Sequence, residues 1–82
     1  MNTLAHEIYD ILKIELSEIT SKMILEEKCK KIGKCSDSII REDLRHLVPL
    51  ILSPVLLFGG EKKAMVIKEK LTLLLEPFKE AV

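Results

Sequence analysis

The stretch Leu47-Val-Pro-Leu-Ile-Leu-Ser-Pro-Val-Leu-Leu-Phe58 decides how this chain is read. Read as a helix it is apolar on nearly every side, and a helix of that kind sits in the middle of a fold with neighbours around it. It is a dozen residues interrupted by Ser53, whereas a membrane-spanning helix needs ~20 apolar residues, so a central core segment is expected and a membrane span is not. Upstream, Glu42 and Asp43 place acids near the positive end of a helix dipole, which extends the predicted helix to about Ile39–Phe58. Pro49 and Pro54 each remove an amide donor and clash with the preceding turn, so a kink, or two short helices meeting near Ser53, is expected.

Downstream, Gly59 and Gly60 tolerate positive φ and allow a tight reversal. A further helix follows, in which Ala64, Ile67, Leu71, Leu74 and Phe78 recur at spacings of three and four, with Lys62, Lys63, Lys68, Glu69 and Lys70 mostly elsewhere. Pro77 ends or bends it. Leu73 and Leu75 widen its apolar side beyond what one neighbour covers.

Upstream, Lys34 to Ser38 reads as a polar loop, with Ser36, Asp37 or Ser38 available as a helix cap. Before it a long helix is predicted from about Thr3 to Ile32, with Asn2 or Thr3 as its cap and Gly33 as a left-handed stop. Lys28, Lys30 and Lys31 then lie at the negative end of its dipole. Leu4, Ile8, Ile11, Leu12, Leu16, Ile19 and Met23 share one broad face, extended by Ile14, Leu25, Cys29 and Ile32. Ile24 falls outside it. An arc near half the circumference requires two or more neighbours, or a break near Thr20 and Ser21.

The predicted architecture is therefore all-α, a small three- to four-helix bundle with a kinked, apolar central helix, forming one domain over residues 1–82. At 82 residues, folding removes only ~60% of the surface that the unfolded chain exposes. More apolar helix surface is present than one copy can bury. Thirteen basic residues balance thirteen acidic ones, so no net field attracts nucleic acid or anionic lipid and little repulsion separates copies.

The expected role is thus a small cytoplasmic helical interaction or regulatory module acting as a homo-oligomer, most simply a dimer, with a second copy or another helical protein as partner. Neither a nucleic-acid nor a membrane partner is expected. The predicted interface is the outer side of the central helix, Leu50, Leu52, Val55, Leu56 and Leu57, with Leu16, Ile24 and Leu73 as lesser candidates. The cytoplasmic reading rests on an amino-terminal stretch without the basic start, apolar run and small-residue site of a secretory signal.

Other chemistries find less in the sequence. Cys29 and Cys35 are too few and too widely spaced for a disulfide scaffold or a zinc knuckle, with or without His6 or His46, so free thiols and no metal are expected. The stretch Glu27 to Leu44 resembles the helix-turn-helix of bacterial repressors, which joins two helices through a glycine turn, and that resemblance implies DNA binding at the corner around Gly33. Lys34 stands where such a turn carries an apolar residue, however, and Glu42 and Asp43 would meet phosphates with negative charge. Arg45-His46-Leu47-Val48-Pro49 is loosely similar to the phosphoacceptor histidine of sensor-kinase dimerisation helices, a role that needs His46 exposed.

No nucleophile, base and orienting group converge, so neither catalytic activity nor a cofactor is expected. A carrier of a small apolar ligand inside the bundle is a third class, with no particular residue to support it.

Overall fold

The computed structural model describes residues 1–75, and these are all-α. Three helices, α1 (Thr3–Glu15), α2 (Glu18–Lys31) and α3 (Leu44–Leu75), pack against one another, with a single 3-10 turn at Arg41–Asp43 ahead of α3. The predicted roles of Pro77 and Phe78 lie outside the described residues.

Asn2 starts α1. Its backbone is extended and its Oδ1 accepts the Ala5 N–H at 2.9 Å, which satisfies one of the free amides of the first turn. The other end of the same amide donates to the Ile39 carbonyl at 2.9 Å, and the Asn2 backbone N–H donates to the Ser36 carbonyl at 2.9 Å. One residue both caps α1 and ties its start to the loop that precedes α3.

The long first helix expected to reach Ile32 is instead two helices that meet at Leu16 and Ser17. Leu16 is extended (φ −123°, ψ 162°), and Ser17 caps α2 by accepting the Thr20 N–H at 3.2 Å. The break falls a few residues before Thr20 and Ser21 and resets the helical phase. α1 buries Ala5, Ile8 and Leu12, and α2 buries Ser21, Ile24, Leu25 and Cys29. Two narrow stripes thus replace one wide arc, so Ile24, off that arc, is buried while Ile19, on it, is 81% exposed.

α2 stops at Gly33 as its sequence requires. With φ at 75°, Gly33 lets its own N–H reach the Lys30 carbonyl (2.9 Å) and the Lys34 N–H reach the Cys29 carbonyl (2.9 Å). This is the paired closure of a Schellman motif, which uses carbonyls that the helix end leaves free. The next helix begins later than expected. Ser38 does not cap it: its hydroxyl accepts the Cys35 N–H at 3.0 Å and closes a turn within the loop. Entry is controlled by Asp43, whose carboxylate accepts the Ile40 N–H at 2.9 Å and pairs with Lys34 Nζ at 3.4 Å.

The helical run of α3 passes through both prolines. Pro49 is exposed, and the carbonyls that the two prolines deprive of a donor belong to exposed Arg45 and half-buried Leu50, neither of them in the enclosed core. The residue that leaves helical geometry is Gly60, at φ 84° and ψ 175°. Thirty-two residues in a straight helix would measure about 48 Å, whereas the longest dimension of the molecule is 36 Å. α3 is therefore bent back on itself at Gly60, with an arm over 44–59 and a second over 61–75. Their far ends meet where Arg41 Nη1 donates to the Leu74 carbonyl at 2.6 Å. At the near end, Leu16 Cδ2 sits 3.5 Å from where a Cβ on Gly59 would be, so the α1–α2 corner abuts the hairpin tip.

The core lies between α1, α2 and both arms: Ile8, Leu12, Leu25, Cys29, Leu44, Leu47, Ile51, Val55, Ile67 and Leu71 are fully enclosed. Val55 thereby leaves the predicted outer interface. It continues the inward stripe Leu44, Leu47, Ile51 at spacings of three and four, so its side chain is spent on this chain's own interior. Ile24, the lesser candidate, is likewise buried at 3% exposure.

Candidate interaction surface

What remains on the outside is unusually apolar in one region. On the first arm of α3, Leu56 is 49% exposed, Leu57 82% and Phe58 60%. Leu57, Phe58 and Pro54 share a groove with Met23 of α2, walled by Glu27 and Lys28. Leu56 also lines a second groove with Leu52, Ala64, Met65 and Lys68, between the two arms. Met65 and Lys68 in turn border a third depression with Glu69, Thr72 and Leu73 on the second arm. Shared residues thus join the grooves into one band from α2 across the first arm to the second.

The cause is helical phase. Leu47 to Phe58 is apolar all round, and the inward stripe consumes only one side of it, so Leu56, Leu57 and Phe58 are left facing water. Of the predicted interface residues, the structure brings Leu52 and Leu56 into one groove and places Leu57 in the adjoining one, while Leu50 is half-buried. Leu16 is half-buried and Leu73 is exposed. Phe58, Met23 and Met65 were not singled out as interface residues. The broad face of a single long helix includes Met23, and the Ser17 break dissolves that face; Met65 is legible only as a residue off the Ile67 and Leu71 seam.

The Gly33 corner is built differently from a helix-turn-helix. Residues 32–43 separate α2 from α3, where that motif uses a turn of about three or four residues. Glu42 and Asp43 lie in the 3-10 turn, with Asp43 engaged by Lys34. The cysteines there are free thiols in opposite environments. Burial pushes the Cys29 thiol up to about 11, helped by the nearby Cys35, Asp43 and Glu26. Cys35 is exposed, and its hydrogen bond with the Ser38 hydroxyl at 3.4 Å, together with backbone amides, lowers its pKa.

Among the described residues no group of three or more His, Cys, Asp and Glu side chains could hold a metal ion. His46 is exposed on α3. His6 packs edge-on against Tyr9, whose ring also carries Lys13 Nζ at 4.6 Å from its centre. No described helix is long and apolar enough to cross a membrane.

Fold and surface together define a class: a small all-α chain with a closed core and an apolar band outside it. Neither a family model, nor a curated protein, nor a solved structure matches the chain.

Proposed function

We propose that this protein is a helical interaction module that associates with a second copy of itself through the band around Leu56 and Leu57, its four-helix bundle built around the proline-bearing arm of α3. The observation that carries this reading is the contiguity of Leu56, Leu57, Phe58, Met23, Met65 and Leu73, each about half exposed or more in the single chain. Scattered apolar residues are ordinary on a protein surface, but a run of large side chains joined by shared grooves is what interaction sites present. Glu27, Lys28, Glu61 and Lys68 rim the band with both signs of charge, as the edge of an interface does. The balance of thirteen acids and thirteen bases leaves no net repulsion between copies.

The test is sedimentation equilibrium of the full chain and of Leu57→Glu. A species of twice the chain mass is expected for the parent. Leu57 lies outside the core, so the variant should keep its helical circular dichroism and weaken association by at least about tenfold, the effect of about 1.4 kcal/mol. A parent that stays monomeric at all concentrations, or a folded Leu57→Glu that associates as tightly as the parent, refutes the proposal.

A further inference from the structure

Separately from that reading, we propose that the groove between the 3-10 turn and the end of the second arm is a docking site for this chain's own segment Glu76-Pro77-Phe78-Lys79-Glu80, which lies outside the described residues, with Phe78 as its anchor. Ile40, Leu74 and Leu75 supply the groove's apolar lining, and Arg41, Glu42 and Arg45 its charged lining. It shares no lining residue with the grooves of the Leu56 and Leu57 band.

The groove suits an apolar side chain with charges close by. Ile40 is 50% exposed, although Ile39 beside it is buried at 2%. An aromatic ring seated on Ile40 would take apolar surface of both residues out of water. Arg45 is exposed and makes no ion pair among the described residues. Arg41 is held at the groove by its 2.6 Å bond to the Leu74 carbonyl.

The segment answers each of these. Phe78 is its aromatic residue, and Glu76, Lys79 and Glu80 bring two acids and one base to a groove lined by two bases and one acid. Every charge on one side thus has an opposite on the other, which is the complementarity that selects a partner and disfavours others. Pro77 disfavours helical geometry at the residue before it, so the sequence directs the chain off the arm's axis at the groove's edge.

Reach selects this chain's own segment over one from another molecule. Leu75 lines the groove and Phe78 follows three residues later, so at most about 11 Å of extended chain separates the two. A tether that short presents the segment at an effective concentration of about millimolar, which a free competitor would have to match.

The experiment is NMR of the full chain with isotope-labelled methyl groups and Phe rings. Ring-to-methyl NOEs from Phe78 to Ile40 are expected. In a mixture of labelled and unlabelled chains, the same NOEs should be missing from the spectrum filtered for contacts between molecules. Phe78→Ser leaves the enclosed core named above unaltered; it should keep the helical circular dichroism, while the Ile40 methyl groups lose their protection from a soluble paramagnetic chelate. A parent without Phe78 to Ile40 NOEs overturns the proposal. So do NOEs found only between molecules, which would make a second copy's segment the occupant, and an Ile40 equally shielded in parent and folded variant. The parent's NOEs decide whether or not the variant folds, and none of these outcomes bears on association at Leu57.

Discussion

At the scale of single residues, side chains with two jobs hold the loop between α2 and α3. Asn2 gives its oxygen to the α1 amides and its nitrogen to Ile39, and Asp43 accepts from Ile40 while pairing with Lys34. Cys29 sits against the inner end of this loop and couples it to pH. Its thiol is held well above 9.0, at about 11, because the buried site disfavours the thiolate. The folded state therefore binds a proton that the unfolded chain loses first. Stability from this source is complete below pH 9 and falls as pH rises from 9 through 11, by about 2–3 kcal/mol in all.

Urea unfolding of the parent and of Cys29→Ala at pH 8 and pH 10.5 is the check. The parent should lose more stability between those values than the variant, and equal losses would exclude a protonated buried thiol as the cause. Asn2 and Gly33 were legible from sequence because cap and stop residues act locally. The sequence pointed to Ser36, Asp37 or Ser38 as the next cap, yet the loop's shape is set by Asn2 from more than thirty residues away, which no local pattern reports.

At the scale of elements, the interruptions matter more than the helices. Leu16 to Ser17 was hidden because the residues on both sides favour helix and serine is tolerated inside one. Only the reset between the Leu12 stripe and the Leu25 stripe shows why the chain turns there. The prolines act in the opposite sense: their lost hydrogen bonds fall on carbonyls outside the enclosed core, and the helix runs on. Gly59-Gly60 was read correctly as a reversal, and Gly60 occupies a region of φ and ψ that side chains avoid. Gly60→Ala should therefore cost about 1–3 kcal/mol in urea unfolding although a Cβ there would meet nothing within 4 Å. An unchanged midpoint would mean that the tip relaxes without strain. At the opposite end, the Arg41 bond to the Leu74 carbonyl satisfies a carbonyl in the last described turn of the second arm.

At the scale of the whole molecule, the radius of gyration is 11.9 Å, close to the about 12 Å of a compact domain of this length. Nine large apolar side chains, Ile19 and Leu57 above all, are nonetheless about half exposed or more among the described residues. The proposed self-association would make stability depend on concentration, because unfolding would then release two chains from one particle. For a dimer of this size each tenfold rise in concentration should lift Tm by about 4 °C, readable by circular dichroism at two path lengths. A Tm independent of concentration would remove the coupling between folding and association. The all-α class and the surplus of apolar surface were readable from composition and periodicity. Which leucines form the surplus was not, because Val55 and Leu56 differ only by helical phase, which the unseen start at Leu44 sets.

The joint at Gly60 also decides where the second arm can lie. With that one residue turned to ordinary helical angles, the arms would merge into a rod of about 48 Å. Ile67 and Leu71, fully enclosed in the closed form, would then be carried away from their own core and into water. The closed hairpin and an open rod are separated by the torsions of a single link, and the Arg41 bond to Leu74 at the far end holds the arm against its own core.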